Sequence, residues 1–197
     1  DVAPSRGLGD VYKRQNMKRA VILFAEGYET VEALLVVDLL RRGGVEVTMA
    51  SITEDEFVRS SHGVNVEMDA VLGEVDVLDY DAIILPGGMP GTLNLRNHEK
   101  LCALLKEFAA KDKKIAAICA APMILGELGL LKGKRATCYP DMESEIEDAY
   151  LTGAPVATDE NIITSQGVGT AIDFALKLIE VLISEEKAVE IADSIVY

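Results

Sequence analysis

One cysteine and one glutamate carry most of the chemistry this sequence can offer. Cys119 follows the apolar run 115–118, which two lysines head and which has the look of a buried parallel strand. Small residues and Pro122 come next, then apolar positions at Ile124, Leu125, Leu128 and Leu131, the spacing of a helix. Pro122 suits a first helical turn, where its missing N–H costs nothing. The thiol is therefore expected at a strand-to-helix turn, facing the positive end of the following helix, a position that lowers a thiol's pKa. At pH 7 a thiol of pKa ~8.5 is only ~3% ionised, whereas one at ~6 is ~90% thiolate. The competing expectation is a small core cysteine, the state of most intracellular thiols; the turn favours the reactive one.

Glu26, Glu29 and Glu32 stand at the start of the first expected helix, where acids complement the helix dipole. Glu32 differs from the other two, because Val31, Ala33, Leu34 and Leu35 surround it on what should be a buried turn. A carboxyl buried near a thiolate has a raised pKa and stays protonated, so it can donate a hydrogen bond to sulfur and shuttle a proton. Gly87 and Gly88 leave their backbone N–H groups unshielded, and with the N–H of Ala120 they could form an oxyanion hole beside the sulfur. A plain Pro-Gly-Gly turn is the alternative.

These residues need a scaffold that brings their loops together. Residues 20–25, 45–51, 82–85 and 113–118 are expected as strands, and 30–42, 101–110, 170–183 and 185–195 as helices. The opening strand–helix–strand is a βαβ unit, which predicts a parallel sheet with right-handed crossovers. Residues 53–59 look charged and irregular, His62 sits at a turn, and 64–68 alternates like an edge hairpin strand. Short strands are expected at 135–138, around 156 and at 162–165, with a short acidic helix at 142–150. The fold class expected is an α/β sandwich with a mostly parallel central sheet. In such a fold ligands bind at the carboxyl ends of the strands, where segments 26–32, 86–91, 119–121 and 139–140 would meet.

Composition narrows the function classes. A formal net charge of −14 over 197 residues argues against nucleic acid and anionic membranes as partners, and leaves neutral small molecules. Cys102, Cys119 and Cys138 form no CxxC pair and leave one over in any disulfide scheme, which fits a reducing, cytoplasmic setting. With two histidines beside them, no structural zinc site, and no other metal or cofactor, is expected. No run is long enough for a membrane span and no secretory signal stands at the start. Residues 1–16 lack apolar periodicity and are expected to be a non-native or disordered extension, with 17–197 forming one domain. Cys102, beside Leu101, Leu104 and Leu105, is expected in the core.

Five motifs in order resemble the ThiJ/PfpI superfamily and, within it, the DJ-1 and ThiJ branch. They are residues 27–32 (GYETVE), 36–44 (VVDLLRRGG), 85–88 (LPGG), 116–122 (AAICAAP) and 164–170 (TSQGVGT), and the similarity spans nearly everything from Lys18 to Ser194. The resemblance implies a flavodoxin-like fold, a homodimer, a reactive Cys119, a protonated partner Glu32, and oxyanion donors at Gly88 and Ala120. Glu29, Gly87, Tyr139 and His62 would belong to the substrate pocket. Peptidase-like members resemble Cys-His-Gly at the nucleophile, whereas this chain has Ala120 after Cys119, so a Cys–His protease mechanism is disfavoured. Tyr139 stands where animal members of the branch have a histidine, and a phenol of pKa ~10 is a poor base at pH 7. His62 falls where relatives carry an arginine that approaches the dimer partner, and the charge pattern permits Glu29 and Asp38 to pair at that interface. Gly167 and Gly169 are expected to serve close helix–strand packing.

Two functions follow from the resemblance. One is a cysteine-dependent glyoxalase or deglycase acting on α-oxoaldehydes such as methylglyoxal, or on the early glycation adducts they form. The other is a non-catalytic redox sensor or stress chaperone whose Cys119 oxidises to sulfinate.

Overall fold

The computed structural model describes residues 17–197; the extension expected at 1–16 lies outside the described residues. Strand β1 (Arg19–Phe24) is apolar on both faces, as a central parallel strand must be. Helix α1 (Thr30–Arg42) begins where the Glu29 side chain accepts from the N–H groups of Val31 and Glu32, and ends with Arg41 and Arg42 in the last turn. There follow β2 (Glu46–Ser51), the hairpin β3 (Phe57–Arg59) and β4 (Asn65–Glu67), β5 (Ala70–Val71) and β6 (Ala82–Leu85). The chain continues through α2 (Gly91–Arg96), α3 (Glu99–Ala110), β7 (Lys114–Ile118) and α4 (Pro122–Glu127), then β8 (Arg135–Ala136), a 3-10 helix (Pro140–Ile146) and β9 (Tyr150–Leu151). It closes with β10 (Val156–Asp159), β11 (Ile162–Ser165), α5 (Ala171–Leu182) and α6 (Glu185–Ser194).

Seven strands form one sheet in the order β10-β11-β7-β6-β1-β2-β5, parallel throughout except for the antiparallel β10–β11 pair. Alternation along β1 sends Ala20, Ile22 and Phe24 to a core under α1, α5 and α6, and Val21 and Leu23 to a second core with Leu101, Leu105 and Phe108 of α3. The result is the expected flavodoxin-like three-layer α/β/α sandwich.

Four local expectations change. Residues 57–59 are a strand, because Val58 is buried and β4 supplies the ladder that a three-residue pattern could not reveal. Helix α2 begins at Gly91, inside the stretch expected only to turn, with buried Leu95 as its anchor. Helix α4 stops at Glu127 instead of running to Leu131, since Gly129 turns the chain at φ +73°. The acidic stretch 142–150 is 3-10 and then strand. Only Ile146 of its 3-10 part is buried, too little apolar stripe to hold an α-helix.

Candidate active site

The carboxyl ends of β1, β6, β7 and β11 lead into loops that meet at Cys119. Leaving β7, Cys119 takes φ +65°, a left-handed conformation unusual for a residue with a Cβ, before Pro122 opens α4 at its first turn. Such a backbone costs about 1–3 kcal/mol and persists only where its surroundings hold it. Here its N–H donates to Ser165 O at 3.0 Å and its carbonyl accepts from Tyr139 N at 2.8 Å. The backbone N–H groups of Gly88 and Ala120 both point at the half-buried sulfur.

Glu32 reaches the same point from the buried stripe of α1 and is 1% exposed. Its Oε2 accepts from Gly87 N at 3.0 Å, while Oε1 is buried without a hydrogen-bond partner. Glycine is required at both loop positions. A Cβ on Gly87 would lie 2.6 Å from Cys119 Cβ and 2.6 Å from Glu32 Oε2, and one on Gly88, at φ +92°, would lie 2.3 Å from Glu29 N. The loop can press its N–H groups against sulfur and carboxyl only because both residues lack a side chain.

The electrostatics correct one expectation. Burial, then the charge of Glu32, then its hydrogen bond push the Cys119 thiol up to about 12, against the lowering by the Ala120 and Gly88 N–H groups. The turn therefore does not by itself produce a low-pKa thiol, because burial removes more than two N–H donors restore. Burial, first, raises Glu32 to about 7, with Glu29's charge adding to the rise. Two causes of the high thiol value vanish when Glu32 carries a proton, so the two groups titrate as a pair. Within the singly protonated pair the proton belongs on Glu32. Its Oε1 has no donor to stabilise a charge, whereas sulfur has two N–H groups and the opening to solvent. A thiolate can form here only with the shared proton on Glu32, not independently of it.

A cavity of about 470 Å³ opens over the sulfur. Cys119, Glu32, Gly88, Glu29, Tyr139 and His62 line it together. Gly87 does not line it, and its N–H is taken by Glu32 Oε2, which removes it from the candidate oxyanion donors. His62 is 77% exposed at the rim, with Nδ1 3.1 Å from Ser61 Oγ and 3.8 Å from Glu29 Oε1. Asp38 pairs with Arg42 at 2.8 Å and Glu29 caps α1, so the two acids do not pair within the chain. Cys102 is half-buried rather than core, its thiol donating to Arg96 O at 3.3 Å.

The far wall is Pro140, from the segment 139–140 expected there, with Gln166, Gly167, Val168, Gly169 and Thr170, which residue types alone did not bring to the site. The glycines here do not serve helix–strand packing. A Cβ on Gly169 would meet nothing within 4 Å, and one on Gly167 would only touch Glu32 Oε1 and Tyr139 Cδ2 at 3.7 Å. The signal available was positional: the loop follows β11, the neighbour of β7.

The DJ-1/PfpI family matches residues 18–181. The chain is 40% identical over 181 residues to Protein DJ-1 homolog B of Arabidopsis thaliana, covering 91% of this chain but 41% of that protein. It is 40% identical over 183 residues to Protein DJ-1alpha of Drosophila melanogaster, covering 91% of this chain and 84% of that one. Among solved structures it is similar to oxidized Toxoplasma gondii DJ-1, with TM-score 0.86 and 40% identity over 91% of this chain and 98% of that chain.

Proposed function

This chain belongs to the DJ-1/PfpI family, and from that premise we propose that it is a cysteine-dependent enzyme of glyoxalase or deglycase type, acting on α-oxoaldehydes such as methylglyoxal or on their early glycation adducts. The observation that carries this reading is the buried Glu32 carboxyl in hydrogen-bonding reach of a strained Cys119 that two N–H groups face, all at the floor of a cavity. Cys119 sulfur adds to the aldehyde carbon, the carbonyl π pair moves to oxygen, and that oxyanion is held by the N–H groups of Gly88 and Ala120. Glu32 gives its proton to the oxyanion, and its carboxylate then takes the proton from the former aldehyde carbon, leaving an enediolate. Returning that proton to the adjacent carbon, while the hydroxyl proton passes from the first oxygen to the second, gives a thioester, which water cleaves to a 2-hydroxy acid and free thiol. One water is consumed and no external oxidant is needed. Tyr139, at the rim, can donate a hydrogen bond to the second carbonyl.

Methylglyoxal loss followed beside Cys119→Ser tests this. Activity falling about 10³-fold or more in the variant is expected. Equal loss with both proteins, or none with the wild type, contradicts it.

A second reading has its own support. The donors that hold an oxyanion would also hold a sulfinate on Cys119, and the similar Toxoplasma structure is of an oxidized protein. A sensor oxidises stoichiometrically without turnover. For assembly we propose a homodimer through α1 and the β3–β4 hairpin. These lie side by side through Thr30 Oγ1 to Ser60 Oγ at 2.7 Å and leave Val31, Phe57 and Val64 exposed. Its setting would be the cytoplasm, where three free thiols stay reduced. No described helix is long and apolar enough to cross a membrane.

A further inference from the structure

The cavity is roomier than a three-carbon oxoaldehyde needs. Its volume of about 470 Å³ falls in the range that takes drug-sized ligands. Filled with water it would hold about 15 molecules at ~30 Å³ each. Yet its walls give water little to bind, because most of their polar atoms are turned into the protein. Glu29 Oε2 accepts from Val31 and Glu32 N–H, Glu32 Oε2 from Gly87 N–H, and Gln166 Nε2 donates to Gly153 O. Thr170 Oγ1 is engaged by Ser165 Oγ, Gly167 N and Gly167 O. What remains toward the cavity is the half-exposed ring of Tyr139, Pro140, the exposed side chain of Val168 and open space over Gly169, with the His62 imidazole and Glu29 Oε1 beside each other at the rim. Among the described residues no lysine or arginine lines it.

We propose that the site selects uncharged 2-oxoaldehydes carrying an apolar tail of several carbons, the tail lying along Tyr139, Pro140 and Val168. This rests on the reading of Cys119 as an aldehyde-adding nucleophile. The carbonyl end occupies the sulfur and its two N–H donors, and the tail displaces water that the wall does not hold. Each methylene taken out of water multiplies affinity by about 4, so three buried ones already exceed tenfold. An anionic tail instead meets Glu29 and no lysine or arginine, in a chain of net charge −14.

Comparing kcat/KM for 2-oxooctanal, methylglyoxal and 4,5-dioxopentanoate, a 2-oxoaldehyde with an anionic tail, tests this. A value at least tenfold higher for 2-oxooctanal than for methylglyoxal is expected, with 4,5-dioxopentanoate at least tenfold lower than methylglyoxal. Tyr139→Ala should lower the 2-oxooctanal to methylglyoxal ratio, chiefly through KM. Equal kcat/KM for 2-oxooctanal and methylglyoxal overturns the proposal, as does a ratio unmoved by Tyr139→Ala. A second arm needs no turnover: alkylation of Cys119 by N-benzylmaleimide against N-methylmaleimide, each normalised to its rate with glutathione. A preference of fivefold or more for the benzyl reagent supports the apolar wall, and no preference overturns it. That preference without turnover of any aldehyde upholds the wall while removing the catalytic reading.

Discussion

Cys119 and Cys138 sit in adjoining turns, tied by the hydrogen bond from Tyr139 N to Cys119 O, and their thiols face different fates. Burial pushes both up, Cys119 to about 12 and Cys138 to about 11. Cys138 is 3% exposed within the core under α3 and α4, and the one charge acting on it, Glu143, raises it further. Cys119 opens to a cavity, receives two N–H donors, and has beside it a carboxyl that can take its proton. Burial alone silences a thiol; burial beside N–H donors and a carboxyl that can hold the shared proton gives it a route to the thiolate.

The largest expected consequence is selectivity of alkylation. At pH 7.4 a thiol near 11 is under ~0.1% ionised, whereas the Cys119–Glu32 pair has lost its first proton over much of the population. Iodoacetamide should label Cys119 about 10³-fold faster than Cys138, read by peptide mass spectrometry, and comparable rates would erase the contrast. Next is stability. Glu32 holds its proton to about 7 in the fold against an ordinary 4.5, so the folded protein binds more protons across that interval. Stability therefore falls as pH rises from about 4.5 to 7, by on the order of 3 kcal/mol at 1.36 kcal/mol per pKa unit. Urea unfolding at both pH values should show this fall in the wild type and in Cys138→Ala, and its loss in Glu32→Gln. A smaller effect belongs to Gly87→Ala. Its Cβ, placed 2.6 Å from both Cys119 Cβ and Glu32 Oε2, should cost about 1–3 kcal/mol of stability and slow Cys119 alkylation. Unchanged stability and labelling would mean that the loop does not need its close approach.

Much of the scaffold was legible because its signals are local. The apolar runs at β1, β6 and β7 need burial on both faces, and α1 announces itself by its stripe and its final Gly43-Gly44. The turn that carries Cys119, the buried Glu32 and the glycine loop were legible for the same reason. What was not legible depends on partners distant in sequence. Strand β3 exists because β4 pairs with it, and the wall at 166–170 belongs to the site because β11 lies next to β7. The thiol's pKa was misjudged because a turn is visible in sequence while the degree of burial, and a neighbouring carboxyl 87 residues earlier, are not. Gly87 showed the same limit, since nothing local says that Glu32 claims its N–H.

The most direct test is the pH dependence of Cys119 alkylation in the wild type and in Glu32→Gln. With the shared proton resting on Glu32, the wild-type rate rises through one titration near 7, and Glu32→Gln moves that titration modestly upward because an amide donates to sulfur more weakly than an acid. A wild-type rate still climbing toward 12, with Glu32→Gln bringing the titration sharply down, would place the charge on Glu32 and the proton on sulfur, and would contradict the thiolate.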